Sequence, residues 1–134
     1  MNRRKSREIA MELLFEMSIN KESYEEILGN FKENTDTDLN DIDFDYLERV
    51  VTGVQENTKD IDKKIVENLK NWKFNRLSKV DLAILRIAIF EIMFSEDVPD
   101  KVAVNEGIEL ARKYSSDNSP TFVNGVLGNI IKAE

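Results

Sequence analysis

Apolar residues recur at helical spacing along nearly the whole chain. Ile9, Ala10, Leu13, Leu14 and Met17 fall every third or fourth position, which predicts a helix from about Arg4 to Asn20 with one face in a core. Ser23-Tyr24-Glu25-Glu26 reads as a capping box, opening a short helix whose inner face is Tyr24, Ile27, Leu28 and Phe31. Asn34 to Asp41 is polar and predicts a loop. From about Ile42 to Lys70 the apolar beat is Leu47, Val50, Val51, Val54, Ile61, Ile65 and Leu69. That beat predicts one long helix, loosened at Gly53, with Trp72 and Phe74 in the connector that follows.

Ser78 and Asp81 form a box-like cap for the next helix. Its body, Ala83 to Phe94, is apolar nearly all round, as a central buried helix should be. Arg86 and Glu91 interrupt it and are expected to pair with each other; the run is too short and too charged to span a membrane. Asp97-Val98-Pro99 breaks the chain before a helix over Lys101 to Tyr114. Ser119-Pro120 supplies an N-cap and a first-turn proline for the last helix, whose beat is Val123, Val126, Leu127, Ile130 and Ile131. No strand pattern or internal repeat interrupts the sequence. The expected fold is all-α.

Composition narrows the chemistry. At 134 residues the chain suits one domain, long enough to bury a core without staples. Apolar residues make up 41% and charged residues 34%, a globular balance, and 5 Gly with 2 Pro leave little material for many tight turns. The chain has no Cys and no His, so thiol nucleophiles, zinc fingers and imidazole bases are out of reach. The basic start is not followed by an uninterrupted apolar segment, and a cytoplasmic location is expected. The acidic run Asp36 to Asp45 resembles a calcium loop, but an EF-hand wants Gly and Glu where Asp41 and Leu47 stand. No metal or cofactor is expected. Gly-rich phosphate loops and nucleophile elbows are missing too, so an enzyme is not expected.

The net charge of −7 hides an uneven distribution. Residues 22–48 carry ten acids against Lys32, whereas residues 49–79 carry eight basic groups against four acidic ones. Arg3, Arg4, Lys5 and Arg7 precede the first acid, Glu8. Charges farther apart than about 10 Å are screened, so an acidic protein with a basic end remains a candidate for nucleic acid. Phe15 lies roughly 170° from the centre of the first helix's core stripe, on the side of Arg4, Met11 and, near its edge, Arg7. A ring beside guanidinium groups suits single-stranded RNA, which offers phosphates and unstacked bases. The competing reading packs Phe15 and Met11 against a second neighbour and leaves the cations solvated.

Five segments carry a family likeness: Arg3 to Ala10, Leu85 to Glu91, Val98 to Glu106, Glu109 to Ala111 and Phe122 to Leu127. In this order and at these intervals the chain resembles the NusB family of bacterial transcription antitermination factors along nearly its whole length. The resemblance implies two small helical bundles packed into one compact domain, with halves at about 1–75 and 76–134. It implies a non-enzymatic protein that binds the boxA RNA of ribosomal RNA operon transcripts with the ribosomal protein NusE, and acts with RNA polymerase and other Nus factors. It places RNA on Arg3, Arg4, Lys5 and Arg7, on Phe15, and on Asn118 and Phe122. Phe122 is about 110° off its own stripe, which also fits a lid on the bundle edge. Arg76, Asp81 and Asp100 map to the NusE face, although Asp100 stands where some members have an aromatic. Asn105, Glu106 and Asn124 are expected in structural roles. The rival class is a protein-binding helical adaptor or homodimer without direct RNA recognition.

Overall fold

A computed structural model describes residues 2–133, which form seven α-helices and no strand. They are α1 (Arg3–Asn20), α2 (Tyr24–Asn34), α3 (Phe44–Glu56), α4 (Thr58–Glu67), α5 (Lys79–Phe94), α6 (Asp100–Tyr114) and α7 (Ser119–Ala133). Short 3-10 turns at Leu39–Asp41 and Phe74–Arg76 lie in the connectors before α3 and α5. Among the described residues no helix is long and apolar enough to cross a membrane.

The caps follow the sequence closely. Ser23 Oγ accepts from the Glu26 amide at 3.2 Å, while Glu26 Oε1 accepts from the Ser23 amide, completing the box that starts α2. Ser78 Oγ accepts from the Asp81 amide at 3.0 Å. In the acidic run, Asp38 caps the 3-10 turn and Asp43 caps α3, each accepting a backbone N–H. Those carboxylates therefore satisfy helix starts, where the dipole favours negative charge.

α5 is the axis of the molecule and packs against α1, α3, α4, α6 and α7. Its Ile84, Leu85, Ile87 and Ile89 are fully buried, and one hydrophobic cluster runs from Ile9 on α1 through α5 to Ile130 on α7. The α1 stripe of Ile9, Ala10, Leu13, Leu14 and Met17 is buried as its spacing requires. Met11 is buried as well, because α1 is covered on more than one side.

Three sequence expectations need correction. The long helix from Ile42 to Lys70 is two helices, and the break falls at Asn57 rather than Gly53. Asn57 Nδ2 donates to the Gly53 carbonyl at 2.8 Å and Thr58 Oγ1 to the Val54 carbonyl at 2.7 Å, side-chain bonds that compete with the helical ladder. Gly53 stays helical and provides space: a Cβ there would collide with the Phe90 ring. Arg86 and Glu91 do not pair. Five residues at 100° each put them about 140° apart on α5, so Arg86 grips Asp62 of α4 at 2.8 and 2.9 Å and Glu91 faces α1. Finally, α7 starts at Ser119 itself, with Asn118 accepting the first helical bond from the Phe122 amide. The Ser119 hydroxyl is turned aside to Asp81 at 3.0 Å.

Candidate nucleic-acid interface

The start of α1 projects its four cations in different directions, and each meets a carboxylate. Arg7 is one turn before Ala10 and Met11, on the edge of the core stripe, and is only 4% exposed. Its Nε and Nη2 both donate to Glu91 at 2.8 Å, a two-pronged pair, and the Tyr46 hydroxyl donates to the same carboxylate at 2.7 Å. Burial works against the Arg7 charge, but the bonds it donates to Glu91 and the nearby negative charge outweigh it and hold the guanidinium above its ordinary range. Burial, helped by the Glu91 charge, keeps the Tyr46 phenol protonated. Arg7 therefore ties α1 to α5, and the expectation that it lies on the surface with its three neighbours is corrected: α5 supplies a buried partner 84 residues away in sequence.

Arg3 lies 4.8 Å above the Tyr46 ring and bridges Asp97 at 3.1 Å and Asp43 at 3.5 Å. Arg4 is the open one, its side chain 70% exposed while its guanidinium meets Glu106 at 3.1 Å. Lys5 lies 3.9 Å from Glu8. Glu8 itself is buried and accepts from Lys113 Nζ at 2.7 Å and from the Tyr114 hydroxyl at 2.9 Å. Burial pushes the Glu8 carboxyl up, yet these two donors win and hold it below the usual range. Glu106, expected in a structural role, receives Arg4 and, at 3.4 Å, Arg7.

Phe15 is half-buried in a hollow of about 280 Å³ with Met11, Val80, Tyr114 and the acids Glu12 and Glu16. It does not lie among the guanidinium groups. Burial raises the Glu12 carboxyl above its ordinary value. Phe122 is half-buried and meets Trp72 edge-on, with ring centroids 6.0 Å apart. Together with Arg76, Asp81 and Asn118 they line a cleft of about 240 Å³. Residues assigned separately to RNA and to a protein partner thus share one cleft. Asp100 opens α6, whereas this cleft lies beside its far end; fifteen residues of helix, about 20 Å, separate the two.

Three hollows follow one another along the end of α6. The one beside Arg4 includes Arg112 and Lys113, the Phe15 hollow includes Tyr114, and the Trp72–Phe122 cleft includes Ser116. The C-terminal turn of α6 therefore joins the cationic start of α1 to the aromatic pair. Lys113, Tyr114 and Trp72 line these hollows although no motif in the sequence marks them as site residues. The first two close α6 without any periodic cue, whereas Trp72 stands in a visibly basic stretch.

The comparisons with known proteins agree with this architecture. Residues 4–132 match the sequence model of the NusB family. A transcription antitermination protein NusB from Clostridium novyi (strain NT) is 71% identical over 133 residues, covering 99% of this chain and all of that protein. The solved structure of NusB from T. maritima superposes with a TM-score of 0.84 at 36% identity, covering 98% of this chain and 92% of that one. A crystal structure of the antitermination factors NusB and NusE in complex with dsRNA shares the fold at a TM-score of 0.84 and 24% identity, covering 98% and 97%. With a family match over nearly its full length and a full-length relative at 71% identity, the chain belongs to the NusB family.

Proposed function

We propose that the protein is a transcription antitermination factor that binds the boxA RNA of ribosomal RNA operon transcripts together with NusE, without catalytic activity of its own. A relative of 71% identity carries the antitermination name, and a protein of the same fold has been solved with NusE and RNA. The observation that carries the reading is the run of hollows along the end of α6, from Arg4 and Lys113 past Phe15 to Asn118 and Phe122. Cations serve phosphates and rings serve unstacked bases. Arg4 supplies the exposed charge, Arg3 and Lys5, both half-buried, the next, and Arg7 acts by fixing the helix that bears them. Asp100, apart from the cleft, is assigned to protein contact, and NusE supplies affinity that so few cations cannot give alone.

The test is a titration of labelled boxA RNA and a scrambled RNA, each with and without NusE. The expected result is preference for boxA that NusE strengthens. Equal binding of both RNAs in all four arms overturns the reading. The competing adaptor or homodimer has one observation in its favour, that carboxylates of the same chain already meet Arg3, Arg4, Lys5 and Arg7. Sedimentation showing a dimer that ignores RNA and NusE alike would favour it.

A further inference from the structure

The connector between α4 and α5, together with the first residue of α5, holds a second basic strip with a different character. Lys70, Lys73, Arg76 and Lys79 fall within ten residues that contain no acid, and all four are exposed. Among the described residues none of these four makes an ion pair, whereas every cation at the start of α1 has one. Trp72 sits in the middle of the strip and is 57% exposed, although it is the chain's single tryptophan and a large apolar surface. Asn71 has φ of 65°, a left-handed turn that asparagine tolerates, and it sets Trp72 off from the end of α4. Phe122 lies against the indole, with the two ring planes at 61°, and Arg76 lines the same cleft. The one carboxylate there, Asp81, is occupied: the Ser115 hydroxyl donates to it at 2.6 Å and the Ser119 hydroxyl at 3.0 Å.

We propose that this connector is a contact for single-stranded RNA, with Trp72 as a stacking platform for one base and Lys73 and Arg76 on the flanking phosphates. The inference rests on the RNA-binding reading above and moves Arg76 from the protein-partner face to the RNA. An unpaired, extended basic strip around an exposed indole matches a chain that alternates phosphate and base. An acidic protein segment would satisfy the cations but would leave the indole without a flat partner. Because none of these cations is held in an ion pair among the described residues, an arriving phosphate displaces solvent ions from them, as counterion release requires.

The single tryptophan makes the test direct. Unlabelled single-stranded boxA RNA is titrated at low salt while Trp72 emission is recorded, and binding is followed in parallel by anisotropy of labelled RNA. The expected result is quenching that saturates with the anisotropy. Trp72→Ala should weaken binding about tenfold, and Lys73→Gln with Arg76→Gln should flatten the logarithmic salt slope by about 1.4. Normal anisotropy with unchanged Trp72 emission and an unaltered Trp72→Ala affinity overturns this inference and leaves the general RNA reading standing. No anisotropy change with any RNA, with or without NusE, sinks the RNA reading itself. Quenching by polyglutamate but not by RNA assigns the strip to an acidic protein and also overturns the inference.

Discussion

Replacing Arg7 by methionine separates two roles that the same residue was open to. Methionine fills similar space but leaves Glu91, 1% exposed, with the Tyr46 hydroxyl as its one remaining partner at hydrogen-bond distance among the described residues. Breaking a buried pair from one side costs about 3–5 kcal/mol, since the surviving charge stays desolvated. For a chain of this length each kcal/mol moves the melting midpoint by about 4 °C, so a fall of about 12–20 °C is expected. Urea unfolding followed by circular dichroism at pH 7 reads the first number and a melt reads the second. The triple variant Arg7→Met, Tyr46→Phe, Glu91→Leu should recover most of the loss, because an apolar replacement of the whole group strands no polar atom. Below its midpoint, Arg7→Met should keep the RNA salt slope of the parent. A stability loss under about 1 kcal/mol together with a slope flatter by about 0.7 would refute the reasoning and make Arg7 a phosphate ligand after all.

Arg4→Ala should do the reverse, flattening the salt slope by about 0.7 while leaving stability nearly unchanged, because the Arg4 side of its pair with Glu106 lies in solvent. Phe15→Ala should cost about 1.5–2.5 kcal/mol in urea unfolding, half the figure for a fully buried ring, and should also weaken boxA binding. Gly53→Ala should destabilise by about 1–3 kcal/mol through collision with Phe90, whereas Gly29→Ala, with open space on α2, should stabilise by about 0.5–1 kcal/mol. Glu8 has a folded-state pKa below its ordinary 4.5, so its contribution is complete above that value and is lost as pH falls through the lower one. Melts of the parent and Glu8→Gln should therefore differ most near neutrality and converge in acid.

What could be read from the sequence was what depends on near neighbours. The Ser23–Glu26 box, the Ser78 cap and the α1 stripe are set by residues within two turns of each other, and periodicity finds them. The division at Asn57 left no mark on the apolar beat, because a side-chain amide bonding back to Gly53 changes the ladder without changing which positions are apolar. Partner choice was least legible. Periodicity says that Arg7 and Glu91 each sit beside a core face, but which helices come together is decided by the packing of α1 on α5. The same limit explains why Phe15 was expected among guanidinium groups and stands beside Glu12 and Glu16. Basic runs were visible, yet whether a cation is already neutralised within the fold depends on acids far away in sequence.

Glu106 and Glu8 are, in effect, resident competitors for anything anionic that approaches Arg4 and Lys5. A visitor must outbid a tethered carboxylate that never diffuses away, so casual polyanions gain little at this end of the molecule. A ligand that brings several correctly spaced charges at once displaces these tenants together, and the discount against weak, scattered contacts becomes a filter for shape and register.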